Sequence, residues 1–196
     1  MNDTPAKRLP KTQRREQLIE TAMAIVREEG TDALTLGRLA ERAGVSKPIA
    51  YEHFKTRSGL LIALYKELDA RQVAALLHAL ERTKPRLEDV ARVVSRAYMH
   101  CYLELGPQWH AISAALKGDE QMDAFQQELI DGYVALYCDA FAPLVRLSRK
   151  ALRLRCVAII GAGEALAREM LQGRVEESAA TAALASLIVA WLAGAA

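Results

Sequence analysis

Residues 44–54, GVSKPIAYEHF, bring a lysine, a tyrosine and a histidine together with a glycine and a proline. If a helix begins after Ser46, Ala50 and Phe54 lie four residues apart and share its inner face. The remaining side chains then cover the outer face, where a helix can meet base edges and phosphates in the major groove of DNA. The outward residues are Lys47, Pro48 and Tyr51, with Ile49 and His53 at the edges.

No pattern in the sequence has a spacing that suits catalysis. An acid–base pair, a nucleophile elbow, a glycine-rich phosphate loop and a clear set of metal ligands are all missing. His100 and His110 would make only a weak metal pair, because no further ligand stands near them. The three cysteines form no CxxC motif, which predicts reduced thiols in a cytoplasmic protein. We therefore expect neither an enzyme nor a bound cofactor or metal.

Two short helices and a turn are predicted to position the outward face. One covers residues 36–43 after Thr35, a residue type that caps helices. Gly44 supplies the left-handed conformation of a sharp turn, and the helix after Ser46 follows it. With a preceding helix over residues 12–29, these elements predict a three-helix head that contains a helix-turn-helix.

The charge of the chain is concentrated near this head. The net charge is only +2, but residues 1–60 hold 11 Lys and Arg against 8 Asp and Glu. Five basic residues and no acidic one lie between Lys7 and Arg15. A basic arm before a folded head can follow a phosphate backbone, although such arms are more often solvated tails.

The rest of the chain is also predicted to be helical, which makes the fold all-α. Apolar residues recur with helical period, β-branched alternation is absent, and Gly and Pro fall between the periodic segments. Gly106-Pro107 is predicted to break one helix into two. We expect two domains, a DNA-binding head over residues 1–56 and a helical body over residues 57–196. The predicted helices of the body cover residues 57–82, 87–105, 108–117, 120–141, 148–172 and 177–193.

Residues 34–64, LTLGRLAERAGVSKPIAYEHFKTRSGLLIAL, resemble the DNA-binding domain of the TetR family of bacterial transcription regulators. The resemblance implies that Thr35 and Arg57 contact phosphates, and that Tyr51 and His53 make groove and backbone contacts. Two residues depart from the family pattern: Gly37 stands where several members carry a base-reading side chain, and Ala50 replaces a larger aliphatic residue. The positions that match base-reading residues are Lys47, Pro48 and Ile49.

The resemblance also implies a homodimer that binds an inverted-repeat DNA site and is released by a small molecule. The dimer would be built by the last two helices, and a ligand pocket would lie in the body, where aromatic and methionine side chains are typical of apolar pockets. The residues expected at the dimer interface are Ile160, Gly163, Ala167, Ile188 and Leu192. The residues expected in the pocket are Met99, His100, Tyr102, Trp109, His110, Tyr133 and Tyr137.

Two other interpretations remain open at this point. The protein could be a DNA-binding dimer controlled by a protein partner, or a membrane-tethered interaction protein. The second depends on residues 178–196, which carry no charge and are long enough to consider as a membrane span. Nine of these nineteen residues are alanine, however, which favours close packing on another helix. We expect a cytoplasmic repressor with a small apolar or amphipathic effector and no membrane contact.

Overall fold

The computed structural model describes residues 9–115 and 120–193, with side chains described except at 105–115 and 120–122. Within these residues the chain forms eight α-helices and two short 3-10 turns, and no strand. The all-α prediction is confirmed. The helices are α1 Lys11–Glu29, α2 Leu36–Arg42, α3 Lys47–Phe54, α4 Arg57–Glu81, α5 Leu87–Ala115, α6 Glu120–Phe141, α7 Arg149–Leu171 and α8 Glu177–Ala193.

The head is built by α1, α2, α3 and the first turns of α4. Its apolar core contains Leu18 and Ile25 of α1, Leu39 of α2 and Ala50 of α3, each fully buried. The same core continues into α4 through fully buried Leu60, Leu61 and almost fully buried Leu64. Because α4 belongs to the core of the head, it is anchored there before it runs into the body.

Local capping explains where the helices of the head begin. The hydroxyl of Thr35 accepts a 3.1 Å hydrogen bond from the amide of Arg38, as the sequence predicts for an N-cap. Gly44 has φ of 64°, which gives the turn between α2 and α3 its left-handed residue. Ser46 occupies the N-cap position of α3, but its side chain makes no capping hydrogen bond.

The prediction that Gly106-Pro107 breaks a helix is wrong. The helix α5 runs without interruption from Leu87 to Ala115 and replaces the two helices expected over residues 87–105 and 108–117. A proline inside a helix removes one backbone hydrogen bond, at a cost of about 3 kcal/mol. Packing of one long apolar face can outweigh that cost, and upstream of the proline α5 buries Val90, Val94 and Met99.

The body has its own core between α5, α7 and α8, to which α4 and α6 are added. Buried residues of α8 recur every four positions, at Ala180, Leu184, Ile188 and Leu192, so one face of this helix packs on the rest of the chain.

In the part of the chain that the structure describes, no helix is long and apolar enough to cross a membrane.

The residues expected at the dimer interface lie inside this core instead. Gly163, Ala167, Ile188 and Leu192 are buried within the single chain, and Ile160 is half-buried beside them. The small size of Gly163 allows close contact between helices of the same chain: a Cβ there would lie 2.9 Å from Cε1 of Tyr98 on α5. The four buried residues are therefore covered by their own chain.

Candidate nucleic-acid interface and ligand cavity

The helix α3 presents Lys47, Pro48 and Tyr51 to solvent, while Ala50 and Phe54 are buried beneath it. Tyr51 is 52% exposed. Lys47 and Tyr51 form no ion pair or side-chain hydrogen bond within the described part of the chain. Ile49 is half-buried and packs against the head core, so it lies at the edge of the exposed face.

Gly37 of α2 lies beside this face. A Cβ built at Gly37 would stand 3.8 Å from Cε of Lys47, so the lysine side chain extends across the place where a larger residue would lie. The absence of a side chain at Gly37 therefore leaves space for Lys47.

A cluster of ion pairs fixes α2 against the end of α1. Arg38 donates two 3.0 Å hydrogen bonds to the carboxylate of Glu29, and Arg42 contacts both Glu28 and Glu29. The hydrogen bond from Arg38 is the main reason that the pKa of Glu29 is lowered. Each pair is solvent-exposed and contributes little by itself, but the bidentate geometry fixes the angle between the two helices.

The other end of α3 lies beside the first turns of α1. Lys11 pairs with Glu52 at 3.1 Å, and the guanidinium of Arg15 lies over the ring of Phe54 at 5.5 Å. Burial lowers the pKa of the half-buried His53 below its ordinary value of 6.5, and Lys11 and Arg15 act in the same direction against Glu52. Basic residues of α1 thus lie next to the end of α3.

Arg57, which the resemblance implies to be a phosphate contact, is held by backbone carbonyls. Its Nε donates to the carbonyl of Leu34 at 2.9 Å and its Nη2 to that of Thr31 at 3.0 Å. Both carbonyls precede α2. Two of its three nitrogens thus tie α4 to the start of α2, a structural role that the sequence does not reveal.

A cavity of about 290 Å³ lies in the body, between α4, α5, α6 and α7. Its described wall is mostly apolar and contains five tyrosines, two glutamines and two carboxylates. The lining residues are Tyr65, Leu68, Asp69, Gln72, Leu76, Ala97, Tyr98, Cys101, Tyr102, Gln126, Leu129, Ile130, Tyr133, Tyr137, Ile160 and Glu164.

Three of the seven residues expected in a pocket lie in this wall: Tyr102, Tyr133 and Tyr137. Met99 is fully buried in the core on another face of α5. His100 is exposed and pairs with Glu104 at 3.3 Å and Glu177 at 3.9 Å, so it points away from the cavity. The side chains of Trp109 and His110 lie outside the described residues.

Sequence reasoning missed the contribution of α4 to the cavity. Asp69 is half-buried there, and its Oδ1 accepts a 2.8 Å hydrogen bond from the hydroxyl of Tyr133 on α6. Burial raises the pKa of Asp69, while the bond from Tyr133 opposes that shift. On α5, Tyr98 stacks on Tyr102 with ring centroids 5.3 Å apart. The position of Asp69 next to Leu68, on the inner and apolar face of α4, is the sequence feature that could have predicted its place in the cavity.

Comparison with known proteins identifies the head. Residues 18–64 match the family model described as bacterial regulatory proteins of the tetR family. These residues run from the middle of α1 to Leu64 of α4 and include the whole helix-turn-helix. The head of the chain thus matches the TetR family in sequence.

Two curated transcription regulators are similar to this chain over part of their length. The transcriptional activator FasR of Mycolicibacterium smegmatis is 36% identical over 76 residues, which are 39% of this chain and 35% of FasR. The class C tetracycline repressor of Escherichia coli is 31% identical over 126 residues, 64% of this chain and 54% of the repressor. The chain thus spans between about a third and just over half of the length of these relatives.

A solved TetR-family structure matches nearly the whole chain in fold. The regulator from Streptomyces coelicolor superposes with a TM-score of 0.73 over 95% of this chain and 83% of that one, at 19% identity. At this identity the similarity concerns the fold alone. The head is thus matched to the family by sequence, whereas the body resembles a TetR-family structure in fold alone.

Proposed function

We propose that this protein is a sequence-specific, DNA-binding transcription regulator that acts in the cytoplasm and responds to a small molecule bound in its body. The observation that carries the proposal is the exposed face of α3, where Lys47, Pro48 and Tyr51 are free to meet base edges. The match of the head to a family of bacterial regulatory proteins supports it. We keep the division into a head over residues 1–56 and a body over residues 57–196 as part of this proposal.

Residues around α3 would provide the contacts that fix affinity and register. The start of α2 at Thr35 offers amide donors to a phosphate, and Tyr51 and His53 would contact the groove and the backbone. Arg57 would reach a phosphate only with the part of its guanidinium that the carbonyls of Leu34 and Thr31 leave open. Lys11, Arg14 and Arg15 add positive charge next to α3 and would follow the adjoining phosphates.

A homodimer would place two such heads on the halves of an inverted-repeat site. Because the inner faces of α7 and α8 are covered by their own chain, the partner would pack on their exposed apolar side chains. Leu154 and Val157 of α7 and Leu187 and Trp191 of α8 are exposed by between 36% and 72%. A row of large apolar residues exposed on two adjacent helices is typical of a protein interface.

The long helix α4 would transmit the presence of a ligand from the cavity to the head. Its first turns belong to the head core, and Tyr65, Leu68 and Asp69 then line the cavity. A ligand that fits one orientation of α4 better than another shifts the spacing of the two recognition helices. It can do so only by its difference in affinity for the two states, which is about 1–3 kcal/mol in typical cases.

The experiment is to select bound sequences from a random DNA pool and to measure affinity for the selected site. The variant Lys47→Ala with Tyr51→Ala should lose about 1–3 kcal/mol for each direct contact. A control variant, Lys150→Ala, removes an exposed cation from α7 of the body and should bind as wild type does. The wild-type affinity should fall steeply with salt.

The recognition-helix assignment fails if the double variant selects and binds the same site with wild-type affinity. A selected site without inverted symmetry would contradict the dimeric arrangement of the heads. If DNA binding is normal but no compound in a broad library alters it, control by a protein partner becomes the better explanation.

A further inference from the structure

Asp69 lies in a largely apolar cavity and has no cationic partner among the residues whose side chains the structure describes. It is half-buried, and the hydroxyl of Tyr133 is the only hydrogen-bond donor to it within the described part of the chain. No Lys, Arg or His belongs to the described lining of the cavity. A partly buried carboxylate with one neutral donor is less stable than the same group in water.

The cations nearest to Asp69 along α4 pair with other acids. Arg71, two residues further on, points to the outside and pairs with Glu20 at 2.7 Å and Glu67 at 3.1 Å. Lys66, three residues earlier, pairs with Glu128 at 3.4 Å. Neither cation therefore compensates the charge of Asp69.

The wall around Asp69 is aromatic. Tyr65, Tyr98, Tyr102, Tyr133 and Tyr137 all line the cavity, and Tyr98 and Tyr102 are stacked. The face of an aromatic ring carries negative charge and attracts a cation within about 6 Å of its centroid. A second carboxylate, Glu164, also lies in the wall, although it pairs with Arg168 at 3.2 Å.

We propose that this cavity binds a compact organic cation, a protonated amine or quaternary ammonium, whose charge lies at Asp69 among the tyrosine rings and whose apolar body contacts Leu68, Leu76 and Leu129. A ligand anion would face the Asp69 and Glu164 carboxylates, and the described lining holds no basic residue to receive it. A neutral ligand would leave Asp69 uncompensated. The volume of about 290 Å³ lies at the lower end of the range of about 300–1,000 Å³ for ligand pockets, which favours a small molecule over a long-chain one.

This proposal rests on the proposed function, since it takes the cavity as the effector site. The test compares three probes of similar size and different charge: phenyltrimethylammonium, its neutral isostere tert-butylbenzene, and phenylacetate. Binding to the full-length protein is measured by calorimetry, and retardation of the selected DNA is measured separately. We expect the cation to bind wild type about tenfold or more tightly than either other probe.

The variant Asp69→Asn removes the charge but keeps an oxygen that can accept the hydrogen bond from Tyr133. It should lose about tenfold or more in affinity for phenyltrimethylammonium and little for tert-butylbenzene. The control is Asp139→Asn, on the exposed side of α6 and outside the cavity, which should bind all three probes as wild type does. Retention of helical circular dichroism verifies that each variant is folded.

The outcomes separate the two proposals. Equal affinity for the three probes, no cation binding at millimolar concentration, or unchanged binding by Asp69→Asn would overturn the cation site, even in a protein that retards DNA normally. Binding of the cation that depends on Asp69 in a protein that retards no DNA would support the site and overturn the proposed function. Release of DNA by the cation from wild type, but not from Asp69→Asn, would support both.

Discussion

The rings of Tyr65 and Phe125 meet edge to face, with centroids 5.1 Å apart and planes at 83°. Tyr65 belongs to α4 and lines the cavity, whereas Phe125 belongs to α6 and is buried in the core of the head. The ammonium group of Lys66 lies 5.1 Å from the centroid of the Phe125 ring. This contact joins the core of the head to both helices that carry the Asp69–Tyr133 hydrogen bond.

The coupling between these two rings can be measured by a double-mutant cycle. We expect Tyr65→Leu and Phe125→Leu each to lower the free energy of unfolding, and the double variant to lose about 0.5–1.5 kcal/mol less than the sum. Urea unfolding followed by circular dichroism provides the four values. Strict additivity would show that the two rings do not stabilise each other.

The contact between Gly163 and Tyr98 predicts that the cavity is sensitive to a single methyl group on α7. A Cβ at Gly163 would lie 2.9 Å from Cε1 of Tyr98, so Gly163→Ala must displace a ring that lines the cavity. We expect this variant to lose about 1–3 kcal/mol of stability through overpacking. It should also change the affinity for the cation probe.

Gly132→Ala is the matched control, because nothing lies within 4 Å of a Cβ at that helical position. It should gain about 0.5–1 kcal/mol, the usual advantage of alanine over glycine inside a helix. Equal effects of the two substitutions in urea unfolding would contradict the close contact with Tyr98.

Arg57 is predicted to contribute to the stability of the head as well as to DNA binding. Arg57→Gln removes the charged donor to the carbonyls of Leu34 and Thr31, and we expect a loss of about 1–2 kcal/mol in the free energy of unfolding. The control is Arg146→Gln, which removes an exposed arginine that forms no ion pair within the described residues. If Arg57→Gln weakens DNA binding without any change in urea unfolding, its contact is with phosphate alone.

The exposed apolar face of α7 and α8 predicts which substitution separates a dimer without unfolding the chain. Trp191 is 43% exposed, so Trp191→Glu should leave each chain folded and give monomers in light scattering. Ile188 is fully buried, and Ile188→Asp should instead unfold the body. Leu77→Glu, at a 46% exposed position on α4, should leave the oligomeric state unchanged. A wild-type monomer at micromolar concentration would refute the dimer.

The stability of the protein should depend on the ionisation of Asp69. Burial raises its pKa above the ordinary value of 3.8, so the folded state holds this proton more tightly than the unfolded state does. The ionised carboxylate of Asp69 therefore destabilises the folded state at pH values above the raised pKa. This destabilisation disappears at pH values below the ordinary pKa, where the group is protonated in both the folded and the unfolded state. We expect Asp69→Asn to be more stable than wild type at pH 7, and the difference to shrink as the pH falls through that interval.

Urea unfolding at several pH values measures this difference, with Asp139→Asn as the control. Burial also raises the pKa of Tyr65 and Tyr133, and it raises that of Cys101 to about 11, so these neighbours stay neutral across the acid range. A variant Asp69→Asn that is less stable than wild type at neutral pH would show that the hydrogen bond from Tyr133 outweighs the cost of burial.

The head could be predicted almost completely from the sequence, because its determinants are local. The spacing of Ala50 and Phe54 on one helix, the left-handed Gly44 and the N-cap Thr35 lie within twenty residues of one another. Such features act through backbone geometry and helical period, which do not depend on distant parts of the chain. Arg57 is the exception, since its carbonyl partners lie more than twenty residues earlier.

Only the tertiary structure decided the body. Aromatic residues on α5 and α6 indicate buried faces, but periodicity alone does not distinguish a cavity wall from a solid core. Met99 is buried in the core, whereas Tyr102 lines the cavity. Asp69 meets Tyr133 across 64 positions of sequence, a contact that depends on how α4 and α6 cross. Small and apolar residues on α7 and α8 suit either a partner or the same chain. The packing of α8 on α5 and α7 buries Ile188, whereas Trp191, three positions later on the same helix, stays 43% exposed, and only the arrangement of the neighbouring helices decides that difference.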